Sequence, residues 1–490
     1  MTATVDSERR SIWRAGIVEI VGLLAYVGLA ELIVVVFRPA IGPQVLLPVG
    51  IVLSLVPAVI WLAFFYAQDR AEPEPRQYVL AVSVLGALLA IALGQPFIND
   101  LARAPQWLDN DTLTQIVGSI LIVGVVQEFL KYAAVRYSVY HAAEFNQRVD
   151  GVLYGTAAGL GYATVLNVGM VVGSGGVAAE QLGAGVIRIV IVALVQASLG
   201  GFTGYFIALN KFDARPLWWM PAGLMLAAVM NGMFSWLAGE VTTSPLALST
   251  DGTSSGGYTP WPALILAAVL AGALLMLTFA LVRRATAAGD NSSAPSGAAP
   301  RAQRSALLTL LIAAGAVIAG LLWRDGVESR TRAYTDPSGL VIQYPARWQI
   351  STANADLGII RVSDPFEPSY PTTFELRRLP VSADATDGDA LAMAANTLAL
   401  NRARDLTAYR LLDLRGEQRI HGLAAARASF AFVHAPTGPF QESLPVVVLG
   451  EDIMLRKGDQ VFALSLFAGK ESYPRAQERF WAFVEAVQLP

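Results

Sequence analysis

Nine separate stretches of this chain are apolar over a length that can cross about 30 Å of hydrocarbon, and this constrains its fold more than any other sequence feature. They are Ile17–Phe37, Val45–Ala67, Val79–Ile98, Leu113–Ala134, Val152–Val172, Val186–Leu209, Leu217–Leu237, Pro262–Val282 and Ala306–Leu322. Lipid offers backbone N–H and C=O groups no partner, so runs of this length must satisfy them internally as helices. The third run is the weakest, because its apolar part ends near Gln95-Pro96. The first is longer than a leader core and contains Glu19 and Glu31, which reads as a signal anchor and not as a cleaved signal peptide. The mean hydropathy of +0.49 comes almost entirely from residues before Trp323, whereas 18 of the 35 Lys and Arg lie beyond it. Two solvents are implied, one for each part.

Basic residues set the orientation. With the N-terminus inside, the inner loops hold fourteen: Arg9, Arg10, Arg14, Arg70, Arg76, Lys131, Arg136, Arg148, Lys211, Arg215, Arg283, Arg284, Arg301 and Arg304. The outer loops hold Arg38 and Arg103, with Arg188 at the outer end of a helix. The N-terminus is therefore expected in the cytoplasm of a multi-pass cell-membrane protein, and an odd number of spans puts the C-terminus outside. The net charge of −3 carries no basic patch of the kind that binds nucleic acid. There are no cysteines, which excludes disulfides, thiolate metal sites and a cysteine nucleophile.

The expected organisation is a membrane core over 1–284, a flexible cytoplasmic linker over 285–304, a ninth transmembrane helix over 305–323, a short linker over 324–334 and a soluble α/β sandwich over 335–490. The first linker rests on Gly289–Gly297, rich in Gly, Ser and Asn. After Trp323 turn signals such as Asp336-Pro337-Ser338-Gly339 alternate with short runs that read as strands: Leu340–Tyr344, Phe374–Arg378, Val446–Leu449 and Val461–Phe467. Helical patterns cover Asp389–Arg404 and Ser472–Gln488, the latter with Phe480, Phe483, Val484 and Val487 on one face.

Polar residues inside the spans are where function would show, because each must be paired or used. The fourth span carries Gln127, Glu128 and Lys131, the fifth Asn167, the sixth Gln196, and the seventh Asn231 and Ser235. Gln127 with Lys131, and Asn231 with Ser235, are four apart and share a helix face. Gly151, Gly155, Gly159, Ala163 and Asn167 recur every four residues on the fifth span, and Gln196, Gly200 and Gly204 do the same on the sixth. Such bare stripes let helices approach closely. These four spans are expected to pack with their amides converging.

Residues Val45–Leu237 resemble the PrsW family of intramembrane metalloproteases. After the second span that family shows D-x-x-E-P-E-P, matched by Asp69 and Glu72-Pro73-Glu74-Pro75; its E-E-x-x-K is matched by Gln127-Glu128-Phe129-Leu130-Lys131. Its D-G-x-x-Y-G-x-x-x-G-x-G-F-A-x-x-E-N is matched by Asp150-Gly151, Tyr154-Gly155, Gly159, Gly161-Tyr162-Ala163, Leu166 and Asn167. The family's last helices each present a histidine, one followed eight residues on by G-Y, where Gly204-Tyr205 stand here. The resemblance implies a zinc site, and this chain departs from it at the ligands. Gln127 and Leu166 replace glutamates, and Gln196 and Asn231 replace histidines. A metalloprotease needs about three protein ligands and an open position. The three histidines, His141, His421 and His434, lie outside the membrane. Neutral amides are poor zinc ligands and cannot act as general bases near neutral pH. Glu128, three residues before Lys131, is expected to pair with it.

The expectation is therefore a degenerate site formed by Gln127, Glu128, Lys131, Leu166, Asn167, Gln196, Asn231 and Ser235, with no catalytic residue intact and no cofactor. Gln127, Glu128, Asn167, Gln196 and Asn231 would line a polar cavity that binds a transmembrane peptide or a membrane protein without cutting it. Two alternatives stand beside this one: an active metalloprotease that holds zinc with unusual ligands, and a solute or proton transporter that uses Glu19, Glu31, Glu128 and Lys131. The C-terminal region resembles PsbP-like α/β domains through Asp336–Trp348, the strand pair around Gly458-Asp459-Gln460 and the helix after Tyr473-Pro474. That resemblance implies a sensing or docking module without catalysis, with Trp348 and Trp481 in its core.

Overall fold

The structure, a computed structural model, describes residues 22–23, 25–30, 32–33, 36, 43–68, 75–108, 111–173, 179–213, 215–243, 260–287, 298–352, 358–364, 370–434 and 446–490. They form two compact units, Met1–Arg324 and Asp325–Pro490. Among the described residues of the whole chain, eight helices are long and apolar enough to cross a membrane. These are α1 (Leu46–Gln68), α2 (Arg76–Leu89, prolonged by π-helical Ala90–Gly94 and Phe97–Leu101), α3 (Thr112–Gly118 and Val125–Ser138, joined by π-helical Ser119–Gly124), α4 (Arg148–Gly173), α5 (Ala179–Phe212), α6 (Trp219–Thr243), α7 (Trp261–Ala287) and α8 (Ala298–Glu328). They account for the second to ninth apolar runs. Part of the first run, including Glu19 and Glu31, lies outside the described residues, as do Asp69, Glu72-Pro73-Glu74 and Gly289–Gly297.

Three boundaries differ from the sequence reading. The third run does not stop at Gln95-Pro96 but continues as helix to Leu101. Pro96 has no N–H to donate, and the widened register around it absorbs the loss: Gln95 N and Ala102 N reach back five residues, to Ala90 O and Phe97 O. The ninth helix begins at Ala298, inside the expected linker 285–304, and runs through to Glu328. The C-terminal domain starts before 335, because Thr331–Thr335 is a strand paired with Val341–Pro345. Lys131, counted above with the inner loops, is buried at 1% exposure within α3 and belongs to the membrane interior.

Helix α5 is the centre of the bundle, with 83% of its apolar window buried. Its closest neighbour is α4, and glycines set that contact. A Cβ on Gly155 would strike Gly200 O, one on Gly159 would strike Gln196 O, and one on Gly204 would strike Gly151 O, so the two backbones touch in antiparallel register. The opposite face of α4 meets α2 in the same way, Gly161 against Ser83 O and Gly86 against Ala158 O. Gly124 of α3 lies against Ala228 O of α6, and Gly232 of α6 against the Ile120 backbone. Large apolar side chains such as Leu47, Val59, Ile265, Val269, Leu311 and Leu322 of α1, α7 and α8 are exposed, as lipid-facing positions must be. At the N-terminal end of α4, the Asp150 carboxylate accepts from Asn146 N (2.8 Å) and Gln147 N (2.5 Å), so this motif residue acts as a cap.

The second unit is a seven-stranded antiparallel sheet with helices on both faces. Its strands are β1 (Thr331–Thr335), β2 (Val341–Pro345), β3 (Gln349–Ser351), β4 (Ile359–Ser363), β5 (Thr373–Pro380), β6 (Arg410–Ile420), β7 (Leu423–His434), β8 (Val446–Lys457) and β9 (Gln460–Gly469). The sheet order is β3-β4-β5-β9-β8-β7-β6, with β1 and β2 as a separate hairpin. Helix α10 (Tyr473–Ala486) buries Phe480, Phe483 and Val484 on one face against Phe374, Leu464 and Trp348, with Trp481 partly buried beside them. Helix α9 (Asp387–Asp405) buries Ala390, Leu391, Ala394 and Leu398 on the other face against Ala426, Met454 and Ala463. Thr386 caps α9, its hydroxyl accepting from Asp389 N at 3.2 Å. All the expected strands and both expected helices are present, and Lys457 pairs with Gln460 across the turn at Gly458-Asp459.

The α4–α5 contact gives a direct test. Gly→Ala in an exposed helix interior normally stabilises by roughly 1 kcal/mol, whereas overpacking costs about 1–3 kcal/mol. Gly155→Ala should therefore lower the thermal midpoint of the detergent-purified protein, and Gly169→Ala, whose Cβ would meet nothing within 4 Å, should leave it unchanged or raise it. Equal midpoints would contradict the backbone contact.

Candidate functional site

Helix α3 turns Gln127, Glu128 and Lys131 toward α5 and α6, because residues three and four apart share a face. Lys131 Nζ donates to Glu128 Oε1 at 2.6 Å and to Gln196 Oε1 of α5 at 2.8 Å. Gln196 Nε2 donates to Gln127 Oε1 at 2.7 Å. From α6, Asn231 Nδ2 donates to Gln127 Oε1 (3.0 Å) and Glu128 Oε1 (2.9 Å). The Thr203 hydroxyl of α5 donates to Glu128 Oε2 at 3.2 Å. All six side chains are buried, Glu128 at 0% exposure. Three helices thus meet in one hydrogen-bonded ring around an ion pair.

Thr203 is absent from the sequence reading. It lies seven residues after Gln196, two turns along the same face, and that spacing was the available signal. Other expected members stand apart. Asn167 is buried, but its amide donates to Ile189 O at 3.2 Å and its Oδ1 has no hydrogen-bond partner, so it does not join the ring. Ser235 donates to Asn231 O at 3.0 Å, a bond spent within its own helix. Leu166 packs beside Ala90, Leu130 and Tyr162. Of the five residues expected to share one interior, the structure brings together Gln127, Glu128, Gln196 and Asn231, with Lys131 among them, and leaves Asn167 apart; Ser235 and Leu166, expected in the degenerate site, also stand outside the ring. An amide four residues beyond a glycine stripe needs only a small helix rotation to serve a backbone carbonyl instead.

The ring does not suit a zinc ion. Both carboxylate oxygens of Glu128 are engaged, Lys131 places a cation where a metal would need to approach, and the remaining groups are neutral amides and a hydroxyl. Among the described residues no three His, Cys, Asp or Glu side chains gather into a metal-binding group. His141 lies in the turn after α3, where its Nε2 is 3.2 Å from Arg136. Burial, with Arg136 and Lys211 nearby, holds its imidazole below the usual histidine range. His421 and His434 belong to the second unit. What the ring can do chemically is neutralise and hold a buried carboxylate. The π-helical segments of α2 and α3 widen those helices without unwinding them, their flanking residues staying in the right-handed helical region, so they supply no half-helix ends of the kind transporters use.

On the face of α3 opposite the ring, α2, α3 and α8 border an apolar groove of about 520 Å³, walled by Phe97, Val126, Phe129, Leu130, Leu310 and Val317.

Residues 74–250 match the model of the PrsW family intramembrane metalloprotease. This part of the membrane unit is similar to the PrsW family. Protease PrsW of Geobacillus kaustophilus is 25% identical over 185 residues, 38% of this chain and 77% of that protein. Protease PrsW of Bacillus subtilis is 25% identical over 186 residues, 38% of this chain and 80% of that protein. The PrsW region thus starts after α1 and ends beyond α6. Over the second unit, cyanobacterial PsbP from Synechocystis is 11% identical with a TM-score of 0.25, covering 33% of this chain and 92% of that one. The structure of PA94 from Pseudomonas aeruginosa, of unknown function, is 17% identical with a TM-score of 0.22, covering 33% and 98%. Within the PrsW domain, the three amide positions noted in the sequence, Gln127, Gln196 and Asn231, are the ones that close the ring.

Removing one half of a buried ion pair strands the other charge, at a cost of about 3–5 kcal/mol. Lys131→Met should therefore lower thermal stability severely, and adding Glu128→Gln to it should restore much of the loss. A double variant no more stable than Lys131→Met would show that the two charges are not coupled.

Proposed function

We propose that this protein is a catalytically inactive PrsW relative, a pseudoprotease that holds a membrane helix of a partner protein without cutting it. The carrying observation is the closed ring: Lys131, Asn231 and Thr203 take up the hydrogen-bonding capacity of Glu128, and the amides at the expected ligand positions bond to one another. An active metal site needs an open coordination position and a water to activate. A neutral, internally satisfied ring offers neither.

The apolar groove supports the binding half of this reading. Its α3 wall comes from Val125, Val126, Phe129 and Leu130, which flank Gln127 and Glu128 on the same turns. A helix lying in it would run along α3, the helix that carries Gln127 and Glu128, on the face opposite those residues. Helix association in lipid depends on close packing, which such a groove provides. The second unit then acts as a sensing or docking module outside the cytoplasm, the side expected from the N-inside basic bias and the nine apolar runs of the sequence.

Two measurements test this. Protein purified without chelator should contain far less than one zinc per chain and show no chelator-sensitive cleavage of membrane-helix substrates. Near-stoichiometric zinc, or cleavage that both a chelator and Glu128→Gln abolish, would replace the pseudoprotease with an active metalloprotease. A reporter fused after Pro490 should work only if it is one that functions outside the cytoplasm; cytoplasmic activity would move the second unit inside.

A further inference from the structure

The second unit contains a cavity of about 270 Å³ between the C-terminal half of α9 and the sheet. Arg361 of β4 and Glu375 of β5 are direct cross-strand partners on the face opposite the Phe374 core. Glu375, buried at 2% exposure, accepts from Arg361 at 2.6 Å through one oxygen and from Arg377 at 3.0 Å through the other. Two guanidinium groups therefore share one carboxylate, and this corner keeps one positive charge in excess. The remaining charges on the wall do not cancel it. Arg402 is held by Asp452, with Nη2 to Oδ1 at 2.8 Å and Nη1 to Oδ2, and is flanked by the rings of Phe430 and Phe467; Asp405 is paired with Arg404. Arg377 Nε is buried and has no hydrogen-bond partner. The rest of the wall is apolar or aromatic, formed by Tyr370, Leu398, Leu406, Phe432 and Phe467.

We propose that this cavity binds a small monocarboxylate with an apolar body. The excess charge and the fork geometry of arginine select a carboxylate, and the aromatic wall selects an attached ring or short chain. At roughly 30 Å³ per water-sized volume the space suits a ligand of about ten non-hydrogen atoms, the size of benzoate. The site is independent of the membrane ring, so it stands or falls apart from the pseudoprotease reading.

The test is calorimetric titration of the full-length chain in lipid nanodiscs with benzoate and with benzamide, its uncharged analogue. Benzoate should bind saturably at one per chain, and benzamide at least about tenfold more weakly, as expected for loss of a charge-assisted bond. Arg377→Gln should weaken benzoate about tenfold. Arg361→Gln, at a half-exposed side chain whose replacement disturbs the core least, should also weaken it, and Glu375→Gln should hold or tighten it by freeing both guanidinium groups. Three results would overturn the proposal: no saturable benzoate binding, equal affinity for benzoate and benzamide, or unchanged benzoate affinity in both arginine variants. Weaker binding by a Glu375→Gln protein of unaltered thermal midpoint would also overturn it.

Discussion

The backbone contact between α4 and α5 is the constraint on which the membrane unit depends. Gly151, Gly155 and Gly159 meet the carbonyls of Gly204, Gly200 and Gln196, and that register admits no slip, since a shift of one residue would bring side chains into backbone. In lipid the hydrophobic effect does not draw helices together, so close van der Waals contact of this kind has to supply the association. The contact also positions chemistry. Gln196 uses its backbone carbonyl against Gly159 and its side chain in the ring, and Thr203 is the residue before Gly204. Where α5 is pinned, the polar centre is pinned.

At that centre an ion pair satisfies a buried carboxylate. A metal and a lysine ammonium both neutralise a buried carboxylate, but they differ in what they leave open. A metal ion retains vacant coordination and can polarise a bound water. The Lys131 ammonium donates to both Glu128 and Gln196. Burying two charges is costly unless their hydrogen-bonding capacity is filled, and the amides from α5 and α6 fill it. This gives a physical reason for amides at these positions that does not involve catalysis.

Much of this was readable in the residues. Apolar length located the helices, because the bilayer imposes one dominant requirement on each of them. The four-residue glycine repeats named both faces of the α4–α5 contact, and the strands and helices of the second unit followed from turn residues and from the Phe480, Phe483 and Val484 face. The misses have a common cause. Spacing fixes the face of a helix a residue occupies, but not which neighbour that face meets, so Asn167 and Ser235 were grouped with the ring although each serves a backbone carbonyl. Thr203 is not distinguished by the sequence, because a hydroxyl is inexpensive inside a helix and does not stand out among apolar neighbours. Pro96 suggested an end to α2 because the π-helical register that accommodates it depends on the packing around it. The Arg361–Glu375–Arg377 cluster could not be read at all, since cross-strand partners are defined only once the register of β4 on β5 is known.

Everything at the polar centre turns on Lys131 satisfying Glu128. The most direct measurement is an experimental structure of the full chain in lipid, prepared with excess zinc, at a resolution that distinguishes an ammonium from a metal ion. The account predicts Lys131 Nζ between Glu128 Oε1 and Gln196 Oε1 at hydrogen-bonding distance, about 2.7–2.9 Å. A metal about 2.0–2.2 Å from a Glu128 oxygen, with Lys131 displaced, would contradict it.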